Sequence, residues 1–141
     1  MNKNILRKIP AITIMVTLCI LSSLEGNDQL LKTFVFHDKI VHTIAYFVLG
    51  IAVCLWIPSK KWAEKPVLYG IITVLICTLF GFFDEVHQSY VPGRSGLFIP
   101  GKPGFDNGIW DLVADFIGGL LSPFAYLFVL KLVTRWRAPE P

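Results

Sequence analysis

Hydrophobic residues fall into four long, nearly uninterrupted stretches, which polar segments separate from one another. The stretches cover residues 9–24, 40–57, 67–83 and 109–130. Each approaches or exceeds the roughly 17 residues that a helix needs to cross a ~30 Å hydrocarbon core at ~1.5 Å per residue. The pattern therefore predicts an all-α integral membrane protein, built as a bundle of four transmembrane helices.

The composition supports this assignment. Of the 141 residues, 54% are hydrophobic and 16% are charged, and the mean hydropathy is +0.60. A soluble domain would carry about 25% charged residues. The length suits a single membrane domain covering residues 1–141. Basic and aromatic residues do not cluster into a binding face, so nucleic acid is not an expected partner.

The first stretch has a second interpretation, as the apolar part of a signal peptide. It is shorter than the others and follows Lys3, Arg7 and Lys8, as such a region would. No small-residue cleavage site of the A-x-A kind is evident, and Ser22-Ser23 is the nearest candidate. We therefore predict that the first helix is not cleaved.

The positions of the thirteen basic residues predict the orientation. Nine lie on one side of a four-span topology: Lys3, Arg7, Lys8, Lys60, Lys61, Lys65, Lys131, Arg135 and Arg137. Four lie on the other side: Lys32, Lys39, Arg94 and Lys102. Because Lys and Arg are enriched in cytoplasmic segments, both termini are predicted to be cytoplasmic. Four tryptophans fall near predicted helix ends, as an interfacial belt would: Trp56, Trp62, Trp110 and Trp136.

The cysteines and the Pro-Gly pairs say little about the chemistry of the protein. Cys19, Cys54 and Cys77 lie inside predicted spans with no close spacing, so we interpret them as packing residues. Repeated Pro-Gly pairs predict a long outer loop over residues 91–104, between the third and fourth helices. The chain contains no known metal motif and no cofactor is predicted, whereas the presence of a bound metal is left open.

Polar residues interrupt the predicted helices at the outer end only. Asp38, His42 and Tyr46 are spaced four apart and form one stripe on the second helix. Asp84 and Glu85 close the third apolar stretch and are followed by His87 and Gln88, while Asp111 and Asp115 are again four apart on the fourth helix. Three helices thus present acids and imidazoles at similar depth, which predicts one shared polar site.

Simpler roles account for some of these residues. Asp38, Asp106 or Asn107 would cap a helix start, and Asp111 would suit the positive end of the helix dipole. His42 and Tyr46 taken singly would be buried packing residues, and Gly118-Gly119 would allow close helix contact.

Asp84, Glu85 and Asp115 are harder to explain in this way. A charge at mid-bilayer costs on the order of 2.5–3.5 kcal/mol, so such residues usually face the interior and find partners. Asp84 and Glu85 also lie toward the C-terminal end of their helix, where the dipole disfavours anions. Arg94 is the predicted counter-charge, because its guanidinium can pair two carboxylates.

Three motifs in this order resemble the VanZ-like family of small bacterial membrane proteins. They are Asp38-Lys39-x-x-His42-x-x-x-Tyr46, then Asp84-Glu85-x-x-Gln88 with Pro92-Gly93-Arg94, and then Asp111-x-x-x-Asp115-x-x-Gly118. The predicted site comprises Asp38, Lys39, His42, Tyr46, Asp84, Glu85, Gln88, Arg94, Asp111 and Asp115. The resemblance implies a multi-pass protein of the bacterial cytoplasmic membrane that lowers sensitivity to glycopeptides such as teicoplanin.

One position departs from the family pattern. The family usually has Asn where this chain has Asp115. Our hypothesis is that Asp115 is protonated, so that its carboxyl group makes the hydrogen bonds of an Asn amide. Asp115→Asn would then be tolerated.

Three functions are compatible with a polar site of this kind. The first is a binding protein whose partners are membrane lipids together with a lipid-linked cell-wall intermediate or the glycopeptide itself. The second is a membrane-embedded hydrolase or transferase that acts on a lipid headgroup by acid/base or metal-assisted chemistry. The third is ion or proton transfer, which the absence of polar residues in the other half of the bundle disfavours.

Overall fold

The computed structural model describes residues 3–24, 35–94, 96–97 and 105–137, with side chains for 5–24, 38–94, 96–97 and 106–133. Within these ranges every regular element is helical. The helices are α1 (Lys3–Leu6), α2 (Ile9–Ser22), α3 (Val35–Trp56), α4 (Ser59–Glu64), α5 (Pro66–Gln88) and α6 (Phe105–Arg137). Lys32, Lys102 and most of the predicted outer loop, residues 95 and 98–104, lie outside the described residues.

Three helices are long and apolar enough to cross a membrane. They contain the segments Asp38–Trp56, Pro66–Gln88 and Asp106–Val133. The first predicted span corresponds to α2, which is apolar but has 14 residues. A helix of that length rises about 21 Å, which is less than the ~30 Å of hydrocarbon. The structure thus confirms the all-helical fold and three helices of membrane-spanning character.

The helices extend further into polar sequence than the hydropathy predicted. Helix α3 begins at Val35, α5 continues to Gln88, and α6 begins at Phe105. Asp38, Asp84 and Glu85 are therefore residues of regular helices rather than of flanking loops.

The helices pack antiparallel, so that opposite ends of successive helices meet. Ser23, directly after α2, hydrogen-bonds His87 near the end of α5 with 3.0 Å between Oγ and Nε2. At the other end of the bundle, the ammonium of Lys8 lies 5.1 Å from the centre of the Trp56 ring. Helices α2 and α5 therefore run in one direction, and α3 and α6 run in the other.

Small residues bring α6 into close contact with its neighbours. A Cβ atom on Gly118 would collide with the main-chain oxygen of Thr43 and lie 2.8 Å from the nitrogen of Phe47, both in α3. On the opposite side, a Cβ on Gly119 would lie 2.8 Å from Cβ of Cys77 in α5. The predicted packing role of this Gly pair is confirmed, since only glycine lets the backbones approach so closely.

Pro123 lies inside α6, where it removes one main-chain donor and would leave the carbonyl of Gly119 without its helical partner. The hydroxyl of Ser122 donates to that carbonyl at 2.8 Å and is fully buried. The helix therefore continues through the proline with its backbone satisfied, as hydrocarbon surroundings require.

The short helix α4 packs against the end of the bundle opposite His87, and it buries one tryptophan that the sequence analysis placed at the membrane interface. Trp62 is fully buried, packs against Tyr126 with ring centres 5.1 Å apart, and donates from Nε1 to the carbonyl of Cys54 at 3.1 Å. The sequence-based placement of Trp62 in an interfacial belt is therefore wrong. Trp110, by contrast, is 63% exposed.

The outer surface of the long helices is apolar and the interior carries the charge. Large side chains such as Val41, Ile71 and Phe124 are more than half exposed, whereas Glu85 and Asp115 are fully buried. A soluble bundle would place these groups the other way round. This inverted arrangement suits hydrocarbon on the outside and paired polar groups within.

Candidate functional site

The polar residues collect at one end of the bundle, which we call the polar end. It comprises the first three to four turns of α3 and α6 together with the last turns of α2 and α5, because antiparallel packing places those helix ends side by side. Along α3 and α6 the residues are four apart, so successive polar side chains lie about 6 Å deeper in the bundle. The polar end therefore has layers, each spanning more than one helix.

The outermost layer is organised around Lys39. Its ammonium donates to Oδ1 of Asp111, and to Oδ1 of Asn107 at 2.8 Å. Asp38 lies 3.7 Å from the same ammonium, and Nδ2 of Asn107 donates to the second oxygen of Asp111 at 3.0 Å. Both oxygens of Asp111 thus have partners, and the side chain is 2% exposed. Lys39 is the cation that holds α3 and α6 together at this level.

The next layer joins three helices. Nδ1 of His42 on α3 lies 2.8 Å from Oδ1 of Asp115 on α6, which is a hydrogen bond. Glu85 on α5 contributes a third group, and one ligand-type atom from each of the three residues falls within 4.8 Å of the other two. The other ring nitrogen of His42 faces the outer layer, 3.8 Å from Asp111 and 3.9 Å from Asp38.

Several buried oxygens in this region have no hydrogen-bond partner among the residues that the structure describes. They are both carboxylate oxygens of Glu85, Oδ2 of Asp115, Oδ1 of Asp84 and the hydroxyl of Tyr46. Buried polar groups in folded proteins are nearly always paired, because each unpaired group loses its bonds to water without replacement. Unpaired oxygens on four neighbouring side chains therefore indicate a site that receives something from outside the chain.

Asp84 and Gln88 complete the α5 contribution. Nε2 of Gln88 donates to Oδ2 of Asp84 at 3.0 Å, and both side chains are buried. Tyr46 lies one turn below His42, with the two rings parallel and 6.5 Å apart. Its ring approaches Gly81, since a Cβ there would come within 3.2 Å of Cε1 of Tyr46.

A cleft of about 220 Å³ opens into the polar end between α2, α3 and α5. Its polar lining residues are Ser22, Asp38, His42, Tyr46, Asp84, Gln88 and Arg94. Its apolar lining residues are Leu18, Leu21, Val41 and Ala45. The cleft therefore offers both hydrogen-bonding groups and aliphatic side chains to a ligand.

Arg94 lies at this cleft, but its contacts differ from the prediction. Its guanidinium donates to the main-chain oxygens of Leu24 and Leu21, each at 3.0 Å. Its hydrogen bonds to described residues thus satisfy carbonyls at the end of α2, where a cation also suits the helix dipole. Within the described residues, Lys39 is the lysine that pairs with a buried acid, Asp111, and it also lies near Asp38.

The structure brings the predicted site residues to one end of the bundle, and one further residue joins them. Asp106, interpreted as a possible cap, is exposed and lies within the first turn of α6 rather than ahead of it. Asn107, interpreted only as a cap, bonds both Lys39 and Asp111. Its spacing of four from Asp111 was the signal that would have included it.

The donor set is also suitable for a metal ion. His42, Glu85 and Asp115 form one group of three possible ligands, and Asp38, His42 and Asp111 form another. The chemistry available is thus acid/base chemistry at His42 and the carboxyl groups, coordination of a cation, or recognition of a polar headgroup.

Comparison of the chain with protein-family models, with curated proteins and with solved structures finds no match in any of the three. The similarity to the VanZ-like family thus rests on the three motifs alone, and the function is argued from the geometry of the site.

Proposed function

We propose that this chain is a multi-pass protein of the bacterial cytoplasmic membrane, with four spans, cytoplasmic termini and the polar end facing outward. The split of basic residues supports this orientation, because nine of thirteen fall on the side of the termini. Helix α2 is the shortest of the four, and Lys8 at its start and Ser23 at its end contact the longer helices. These contacts favour α2 as a member of the bundle.

The proposed function is binding of a lipid-linked cell-wall intermediate, by which the protein lowers sensitivity to glycopeptides such as teicoplanin. The observation that carries it is the cleft whose lining combines polar and apolar side chains. Asp84, His42 and Gln88 offer donors and acceptors to a headgroup, while Leu18 and Val41 offer contact to a hydrocarbon chain. A lipid-linked ligand has both a polar headgroup and a hydrocarbon chain, so both kinds of lining residue would find a partner.

The resemblance to the VanZ-like family supplies the phenotype. All three motifs that carry it contribute residues to the polar end, including His42, Asp84 and Asp111. The glycopeptide itself is a second possible occupant of the outer mouth of the cleft, and direct binding of teicoplanin to the purified protein would identify it.

Growth of expressing cells in teicoplanin tests the proposal. Cells with the unaltered chain are expected to grow at a drug concentration that stops cells with an empty vector. The double variant Asp84→Asn, Glu85→Gln keeps the shapes but removes two buried carboxyl groups, and protection should be lost. Glu64→Gln, an exposed acid on α4 at the opposite end, is the matched control and should protect fully.

Membrane levels of each variant are measured by immunoblot, so that loss of protein is not mistaken for loss of function. Equal protection by the double variant and the control would show that the polar site is not responsible. Failure of the unaltered chain to protect would exclude the glycopeptide phenotype.

The hydrolase or transferase alternative is supported by one contact. The 2.8 Å hydrogen bond between Nδ1 of His42 and Oδ1 of Asp115 orients the imidazole as a carboxylate orients a general base. Incubation of the purified protein with phospholipid and with a lipid-linked cell-wall intermediate, followed by mass spectrometry, distinguishes the two functions. Product formation that His42→Gln abolishes would favour the enzyme, whereas unchanged lipids would favour binding.

A further inference from the structure

We infer that His42, Glu85 and Asp115 form a binding site for one divalent transition-metal ion, Zn²⁺ or Mn²⁺. The inference concerns the inner layer of the polar end and does not depend on the antibiotic phenotype.

The three side chains converge from three different helices, and their donor atoms lie within 4.8 Å of one another. Tetrahedral ligation with metal–ligand bonds of about 2.1 Å places two donors ~3.4 Å apart. A pair of donors at the 4.8 Å limit would therefore have to approach by roughly 1.4 Å when the ion binds.

The unpartnered oxygens are the independent observation that points to a ligand. Glu85 is fully buried, and within the described part of the chain neither of its carboxylate oxygens has a hydrogen-bond partner. The same holds for Oδ2 of Asp115. A small-residue position keeps this space open, because a Cβ on Gly81 would lie 2.7 Å from that oxygen of Asp115. A cation bound between the two carboxylates would satisfy atoms that no described protein donor reaches.

The charges favour metal binding by the inner group (His42, Glu85 and Asp115) over the outer group (Asp38, His42 and Asp111). In the outer group, Lys39 already donates to Asp111 and lies near Asp38, so an ammonium occupies the position that a metal would take. In the inner group, Glu85 and Asp115 have no cationic neighbour besides His42 among the described contacts. A divalent ion balances two carboxylates and leaves the imidazole neutral, as ligation requires.

His42 is also held as a metal-bound histidine usually is. Its Nδ1 faces Asp115, and its Nε2 points toward the carboxylates of Asp38 and Asp111 at 3.9 and 3.8 Å. A ligating histidine commonly directs its second N–H to a carboxylate, which fixes the ring and raises its basicity. The outer layer thus supplies the orienting groups for the inner one.

The donor types select the class of metal. One imidazole with two carboxylates suits Zn²⁺ or Mn²⁺, whereas Mg²⁺ and Ca²⁺ prefer oxygen donors alone and Cu(I) prefers sulfur. Three protein ligands leave a position for water or for an oxygen of a bound headgroup. A bound cation, rather than a proton on Asp115, then balances the buried charge, and this replaces the expectation of a protonated Asp115.

Metal analysis of the purified chain tests this inference. The protein in detergent is stripped with a chelator, incubated with Zn²⁺ or separately with Mn²⁺, freed of unbound ion by gel filtration, and analysed by elemental mass spectrometry. One ion per chain is expected. Glu85→Gln should weaken binding at least tenfold, and Glu64→Gln should leave it unchanged.

A spectroscopic measurement identifies the histidine. Pulsed electron paramagnetic resonance of the Mn²⁺ form should show coupling to a nitrogen nucleus that disappears in His42→Gln. Unaltered chain that retains neither ion, or metal binding that Glu85→Gln leaves intact, would overturn the assignment. The number of ions bound per unaltered chain can refute the inference without any variant. The test therefore still works if a variant does not fold. The teicoplanin experiment can fail while this one succeeds, so the two proposals are tested separately.

Discussion

Adding one methyl group at Gly118 tests the packing that assembles the polar end. The new Cβ would collide with the carbonyl oxygen of Thr43 and lie 2.8 Å from the nitrogen of Phe47. Both are main-chain atoms of α3, so no rotamer change can relieve the contact and the two helices must separate. Separation of α3 from α6 would also pull Lys39 away from Asp111.

The change in unfolding free energy caused by Gly118→Ala is the sum of two opposing contributions. Overpacking costs about 1–3 kcal/mol, and contact with rigid backbone places Gly118→Ala near the upper limit. Replacing a helical glycine by alanine returns about 1 kcal/mol of helix propensity. The net loss of unfolding free energy is thus ~2 kcal/mol. Gly70→Ala is the matched control, because its Cβ would meet only Cβ of Pro123 at an ordinary 3.8 Å.

Unfolding of the purified chains in mixed micelles of a mild detergent and dodecyl sulfate measures both variants. Gly70→Ala is expected to be neutral or up to ~1 kcal/mol more stable, which puts the two variants about 2–3 kcal/mol apart. Equal stabilities would refute the close approach of α3 and α6, and with it the geometry of the site.

Two further predictions concern Asp115 and the topology. Asp115→Asn retains a hydrogen-bonding partner for His42 and should fold within about 1 kcal/mol of the unaltered chain. Asp115→Leu leaves Nδ1 of His42 without its partner and should lose ~1–3 kcal/mol in the same unfolding assay. Equal losses would contradict the 2.8 Å bond. Ser59 and Tyr90 are both exposed, and each is replaced by Cys in a background without the native cysteines. The two new thiols should react with an impermeant thiol reagent from opposite sides of the membrane. Reaction of both from outside would exclude the proposed orientation.

The sequence predicts the helices and the meeting of their polar ends for clear physical reasons. Apolar stretches of sufficient length predict the helical segments, and alternating helix directions bring every second terminus to the same end. The spacing of four then places Asp38 with His42, and Asp111 with Asp115, on single faces. These arguments need only helix geometry, and the structure has the same layers.

Contacts that depend on loops and on small rotations could not be predicted. Hydrophobic periodicity says nothing about where a loop residue points, and Arg94 bonds the carbonyls of Leu21 and Leu24 instead of a carboxylate. The central role of Lys39 was equally hidden, because charge alone does not distinguish it from other cations nearby. Trp62 is buried because α4 folds beneath the bundle, a tertiary event with no hydropathy signal.

Binding of a lipid-linked cell-wall intermediate to the purified chain, measured by native mass spectrometry, tests the central claim most directly. Ala45→Trp fills the cleft without changing a charge, and Ile44→Trp adds the same ring to the 57%-exposed neighbouring position as a control. The account predicts one bound intermediate per chain for the unaltered protein and for Ile44→Trp, and little or none for Ala45→Trp. Equal binding by the two tryptophan variants, or no binding by the unaltered chain, would contradict it.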